Sequence, residues 1–358
     1  MNLLIFDMDG VLLDARGYHR ALQRTVNLVA EQALSLPGIK LSQEDIHKFE
    51  ALGISSEWHS SALCMALLEV QLLSGADAPS LELDPLFSAL SDQSNSLPPL
   101  QRCLQAIDHI CCSQGVDLLS VKRWIVDSGN IDKSPTMNWF QEFVLGSEAF
   151  QKQYHKTPRL SESSYLAEYD MPLISEANSA RINRWKKDRI FASGVMTNRP
   201  STGPAGFCGS PEAEAGLDLV QLGGLPLIGY GEIEWLANQA GQEPSKLSKP
   251  NPVHALAAIF SALGRSKESS LRSALDRTSW EDQMVSPLQG ATITVFEDTP
   301  AGIRSVKQAG IKLQQAGAEV TIQAFGITNN PAKKAALESE GARIAANVNL
   351  ALDSLDYF

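Results

Sequence analysis

The sequence predicts a doubly wound parallel α/β core interrupted by an all-helical insertion. Three observations carry this reading. A short, continuous apolar run stands at the start, Leu3–Phe6; the same grammar returns only after residue 190; and the stretch between repeats its apolar residues at helical spacing. Continuous apolar strands are those buried on both faces, as in parallel sheets covered by helices. Strands that alternate with helices make a doubly wound domain.

The elements follow in order. The opening segment Met1–Asp14, MNLLIFDMDGVLLD, holds the first strand. Residues 16–188 read as helical, with the stripe Leu100, Cys103, Leu104, Ile107, Ile110 and Cys111 on one helix face and a similar block at Ala62–Leu73. Polar breaks at Ser74–Ser80, Ser91–Pro99 and Lys156–Ser164 divide these blocks. Beyond them, Ile190–Asn198, Leu225–Tyr230, Thr292–Asp298 and Val320–Thr328 read as strands. Pro211–Leu222 is a helix closed by Gly223-Gly224. Asn251-Pro252 and Thr299-Pro300 each pair an N-cap with a proline at the first helical position, opening Val253–Leu263 and Ala301–Ala316. The expected division is a discontinuous core, 1–15 with 189–358, and an insertion at 16–188.

Composition narrows the function classes. A chain of 358 residues fits about two domains. Its net charge of −11, spread along the chain, offers no basic face for nucleic acid. The longest apolar stretches, such as Ala62–Leu68, fall short of the roughly 18 residues a membrane span needs. No cationic start precedes an apolar run, so no secretory signal is expected. Five cysteines, an odd and sparse set, suit reduced thiols in a cytoplasm. The expectation is a cytoplasmic protein with a small-molecule partner, neither nucleic acid nor membrane; the sequence leaves the oligomeric state open.

In open α/β sheets ligands bind beyond the carboxyl ends of the strands. The first strand ends in Asp7-Met8-Asp9-Gly10, the second in Thr197-Asn198-Arg199, and the strand before Thr299 in Glu297-Asp298; Lys249 stands just ahead of a helix start. Carboxylates, a hydroxyl and an ammonium therefore meet at one sheet edge. Acids so close repel unless a cation sits among them, and an oxygen-rich set suits Mg²⁺. Magnesium would neutralise a bound phosphoryl group, Lys249 would do so from the other side, and Thr197 would donate a hydrogen bond.

The segments Phe6–Asp14 (FDMDGVLLD), Val195–Asn198 (VMTN), Lys249–Pro252 (KPNP) and Phe296–Gly302 (FEDTPAG) resemble, in order and context, the four motifs of the haloacid dehalogenase-like superfamily. The resemblance covers about half the chain, and the insertion matches the position of that superfamily's C1 cap. It implies a Rossmann-like core and a set of roles. Asp7 is similar to the aspartyl nucleophile and a metal ligand; Asp9 is similar to the general acid/base, with its backbone carbonyl on the metal. Thr197 and Asn198 match the phosphate-binding pair, and Lys249 the lysine that steadies nucleophile and phosphate. Asp298 matches the metal-binding carboxylate, and Glu297 either binds the metal or supports it. A carboxylate nucleophile splits hydrolysis through a covalent aspartyl-phosphate, and an acid two residues on can protonate the leaving group.

Within the superfamily, the dehalogenase-like and phosphonatase-like members lack an acid where Asp9 stands. The resemblance thus implies a Mg²⁺-dependent phosphomonoester hydrolase. The alternatives are a phosphomutase of the β-phosphoglucomutase kind and a non-catalytic binding protein on the same fold. The insertion is longer than a simple C1 cap, so its substrate contacts do not carry over.

Other residues have ordinary readings beside functional ones. Lys246 is a rival for the role of Lys249. Cys103, His109, Cys111 and Cys112 suggest a metal cluster, but Cys103 and Cys111 lie on the apolar stripe and read as core thiols. Gly229-Tyr230-Gly231 is too short for a nucleotide loop. His19 is either the counterpart of a histidine after the first motif in β-phosphoglucomutase-like members or a helix-surface residue. Leu52–Trp58 (LGISSEW) either reads the substrate or is an interhelix turn.

Overall fold

The computed structural model describes residues 2–54, 56–92, 97–276, 280 and 285–355. Its main sheet has six parallel strands: β1 (Asn2–Phe6), β4 (Phe191–Met196), β5 (Leu227–Ile228), β6 (Ala291–Glu297), β7 (Val320–Ile327) and β8 (Arg343–Ala345), in the order β5-β4-β1-β6-β7-β8. A separate antiparallel ribbon joins β2 (Leu13–Asp14) to β3 (Met171–Pro172).

The alternation along β1 explains why both faces are covered. Leu3 and Ile5 join one core cluster with Met196, Ile228 and the helices Pro252–Ala262 and Pro300–Gln315. Leu4 and Phe6 join the opposite cluster with Val195, Trp185, Phe296 and Phe325. On that face Phe6, Phe296 and Phe325 stack across adjacent strands, with ring centroids 4.8 Å and 5.4 Å apart. The doubly wound parallel core expected from the sequence is present.

The caps also form as the spacing predicts. Asn251 accepts from the Val253 amide at 2.9 Å, and Thr299 from the Gly302 amide at 3.3 Å, each before a proline at the first helical turn.

The chain divides into two compact units, one of Met1–Ala15 with Asp170–Phe358 and the other of Arg16–Tyr169. The stretch 170–188, expected in the insertion, clusters with the sheet instead. The β2–β3 pairing draws the returning chain back at Met171, and the helix Glu176–Lys187 buries Ile182 and Trp185 in the core cluster with Phe191. That helix has few apolar residues, which left its allegiance unreadable from periodicity.

The second unit is helical throughout its regular elements among the described residues. Its centre is the helix Glu57–Leu73, buried from Ser60 to Leu68, against Arg16–Leu34 and Pro99–Gln114. Cys103 and Cys111 are buried in the stripe as expected, whereas Cys112 and His109 are exposed. Among the described residues no disulfide joins the five cysteines, and no helix is long and apolar enough to cross a membrane.

Candidate active site at the sheet end

Register sets the site. Phe6 pairs with Val195 on one side and Phe296 on the other, so the next residues, Asp7, Met196 and Glu297, lie level at the carboxyl end of three adjacent strands. The Asp7 amide donates to Phe296 O at 2.9 Å, and the Thr197 amide to Ile228 O at 3.1 Å, carrying both backbones one residue past the ladder.

Asp7, Glu297 and Asp298 each offer a carboxylate oxygen within 4.8 Å of the others. All three are buried, and they are the one such group of potential metal ligands among the described residues. Lys249 enters between two of them, its ammonium 2.9 Å from Asp7 Oδ1 and 2.5 Å from Glu297 Oε1. Lys333, at the start of the helix Pro331–Ser339, lies 2.7 Å from Asp298 Oδ2. Three buried carboxylates thus face one buried ammonium, Lys249, and one largely exposed one, Lys333.

The imbalance appears in their acidities. Asp7 is held well above the ordinary carboxylate range, first by burial and then by repulsion from Glu297, against the pull of Lys249. Asp298 is raised by burial, which Lys333 partly opposes and Glu297 reinforces. Burial works to discharge Lys249, but Asp7 and Glu297 outweigh it and raise its value. An all-oxygen donor set with surplus negative charge fits a divalent cation such as Mg²⁺.

The two acids of the Glu297-Asp298 pair are not equivalent. Glu297 Oε1 receives Lys249, while Oε2 receives both the Thr299 amide at 2.9 Å and the Thr299 hydroxyl at 2.8 Å. Of the two sequence readings for Glu297, this geometry favours the supporting one. Gly302 packs directly on it: a Cβ there would lie 1.6 Å from Glu297 Oε1. Gly10 closes the other side, with φ +76° and space so tight that a Cβ would lie 2.5 Å from Asp298 Oδ2.

Thr197 is buried, and its hydroxyl oxygen accepts from the Arg199 amide at 3.1 Å. That contact engages a lone pair of the oxygen and not the hydroxyl proton. Asn198 beside it is exposed. Asp9 is half-open to solvent and carries an ion pair with Arg199, a partner that nothing in the sequence indicated.

The lesser candidates separate cleanly. Lys246 is exposed in a 3₁₀ turn, so Lys249 is the lysine of the cluster. Gly229 and Gly231 open the helix Tyr230–Ala240, their amides donating to Glu232 Oε2 and Ser201 Oγ. His19 lies 2.9 Å from Glu50 Oε1 and 2.7 Å from Gln43 Nε2 within the helical unit. In Leu52–Trp58, Gly53 turns the chain at φ +76° and Ser56 starts the next helix; Ser55 lies outside the described residues, as do residues 93–96 of the Ser91–Pro99 break.

No protein-family model and no curated protein sequence matches the chain. Among solved structures it is similar to an X-ray structure of a Northeast Structural Genomics Consortium target, ZR25, at 17% identity and a TM-score of 0.65, covering 99% of this chain and 98% of that one. It is similar at 16% identity and a TM-score of 0.46 to phosphatase Tt82 from Thermococcus thioreducens, over 94% of this chain and 99% of that one. A hydrolase from Pseudomonas syringae matches at 12% identity and 0.35, over 99% and 98%. The likeness to the first is one of fold. The chain combines a six-stranded parallel sheet, a helical unit inserted after its first strand and an acidic cluster at the sheet end.

Proposed function

We propose that the chain is a Mg²⁺-dependent phosphomonoester hydrolase that acts on a small phosphorylated metabolite through an aspartyl-phosphate on Asp7. The observation that carries this is the placement of Lys249 between Asp7 and Glu297 at the carboxyl end of β1, with Asp298 completing the acidic cluster. Asp7 and Asp298, with the Asp9 backbone carbonyl, would hold the cation, which when bound supplies positive charge against the phosphoryl oxygens.

The protein's own residues divide the work. An Asp7 oxygen attacks phosphorus as the bond from phosphorus to the leaving oxygen breaks, and Asp9 gives its proton to that oxygen. The Asp9 carboxylate then takes a proton from water; the water oxygen attacks phosphorus, the Asp7–phosphoryl bond breaks, and inorganic phosphate leaves. Thr197, its oxygen lone pair engaged by the Arg199 amide, turns its proton to a phosphoryl oxygen, and Asn198 adds a second contact. Lys249 holds the Asp7 carboxylate in place and balances charge as the phosphoryl group is transferred. Selection among substrates is assigned to the helical unit, with Leu52–Trp58 as its first candidate segment.

A phosphate-release screen over phosphorylated metabolites with Mg²⁺ tests the reading. Free phosphate from at least one small ester is expected. A stable isomerised product without free phosphate would indicate a mutase, and no Mg²⁺-dependent release a binding protein.

A further inference from the structure

Arg199 closes β4 just after Thr197-Asn198, and its side chain is fully buried. The guanidinium forks between two acids. Its Nη2 and Nε lie 2.6 Å and 3.1 Å from Asp9 Oδ1, and its Nη1 lies 2.9 Å from Asp170 Oδ2. Asp170 is 1% exposed at its side chain, whereas Asp9 keeps 37%. The far oxygen of Asp9, Oδ2, stands 3.4 Å from Nε, a weak contact beside the pair on Oδ1.

The fork is braced from outside as well. Helix Glu212–Leu219 packs against it so closely that a Cβ on Gly216 would lie 3.3 Å from Arg199 Nη1. Asp170 is the residue at which the chain rejoins the sheet unit, and its neighbours Met171–Pro172 pair with Leu13–Asp14, just beyond Asp9. Arginine keeps its charge and its planar array of donors, so a carboxylate set against it has a fixed orientation.

We propose that Arg199, anchored by Asp170, is the positioning residue for Asp9, holding Oδ1 so that Oδ2 is the oxygen that gives and takes the proton. The proposal rests on the hydrolase reading above. In the first step the Oδ2 proton passes to the leaving oxygen as its bond to phosphorus breaks; in the second, Oδ2 receives a proton from the attacking water. Lysine could supply charge at this point but not the fork.

Single-turnover rates with an alkyl phosphate and an activated aryl phosphate, both with Mg²⁺, test the assignment. The alkyl ester must expel a basic alkoxide and needs the proton; the aryl ester leaves as its anion. The main variant is the pair R199M/D170N, which removes both fully buried charges together and leaves Asp9 to solvent. Circular dichroism establishes that it folds, and Asp170→Asn alone serves if it does not. Loss of the fork should slow the alkyl ester on the order of 10²-fold and the aryl ester by no more than about three-fold. Asp170→Asn should show the same asymmetry at smaller size, and Arg199→Lys should recover part of the alkyl rate. Adding Asp9→Asn to the pair should cost the alkyl ester no more than Asp9→Asn costs alone. Equal slowing of both esters, or an unchanged alkyl rate, would overturn the role of Arg199 while leaving the hydrolase reading intact. A wild-type chain that releases phosphate from neither ester would overturn both.

Discussion

Lys249 and Asp7 form a buried ion pair, 2.9 Å between Nζ and Oδ1, with side chains 4% and 9% exposed. Such a pair adds little net stability over an apolar one, but removal of one partner strands the other charge. Here the lysine also touches Glu297, so two acids depend on it. At the end of β1 it offsets the charge of two buried carboxylates at once.

Lys249→Met should therefore cost about 3–5 kcal/mol of stability at neutral pH, measured by urea unfolding without added cation. Phosphate release should vanish with it. A variant as stable as wild type would mean that Asp7 and Glu297 are compensated by other groups.

A divalent cation should stabilise the fold by linkage, about 2.7 kcal/mol when present at a hundred times its dissociation constant. Thermal melts with Mg²⁺ should show an upward shift in wild type and little or none in Asp298→Asn. Chelation should abolish phosphate release and Mg²⁺ restore it, with Ca²⁺ a poor substitute because its larger, looser coordination shell holds phosphate and nucleophile less rigidly. Equal cation shifts in both proteins would remove Asp298 from the binding set.

His254 gives the fold an acid sensitivity of its own. The ring is fully buried, with Nε2 3.0 Å from Ile228 O and Nδ1 without a hydrogen-bond partner among the described residues. Burial, aided by the charge on Lys249, pushes it down to about 3. Because this lies below the ordinary value of 6.5, the unfolded chain binds the proton more tightly. The stabilising contribution is whole above pH 6.5 and falls by about 1.4 kcal/mol per pH unit below it. Urea unfolding at pH 7 and pH 5 should show a smaller loss in His254→Gln than in wild type; identical losses would refute the assignment.

Gly302 tests the supporting role of Glu297. Alanine there would drive a methyl group into Glu297 Oε1, and the carboxylate is already fixed by Lys249 and Thr299. Gly302→Ala should cost about 1–3 kcal/mol through overpacking and should lower activity by displacing the Lys249 contact. A fully active variant would show that Glu297 has room to move.

Much of this was legible in the sequence because buried parallel strands leave continuous apolar runs. Leu3–Phe6 and Thr292–Asp298 announced β1 and β6, and each brought its terminal acids along. Apart from β5, which lies inside the apolar run Leu225–Tyr230, the shortest strands were silent. β8 has three residues, and β2 and β3 have two each, too few for a period to register. Helix Glu176–Lys187, whose large apolar residues are Ile182 and Trp185 alone, gave no sign that it belonged to the sheet unit. At the site, the residue types at the strand ends were visible, but the pairings were not. Arg199 with Asp9, and Lys333 with Asp298, join segments far apart in the chain, and an arginine or lysine carries no mark of the acid it meets.

The central claim is that Asp7 carries the phosphoryl group, and Asp9→Asn offers the means to catch it there. With an activated aryl phosphate and Mg²⁺, rapid quench should show a burst of one phenol per chain followed by slow turnover, since the intermediate forms but water is not activated. Mass spectrometry of the acid-quenched protein should then find the phosphoryl group on the peptide containing Asp7, and Asp7→Asn should give neither burst nor label. A burst absent from Asp9→Asn, or a phosphoryl group on any other residue, would contradict the account.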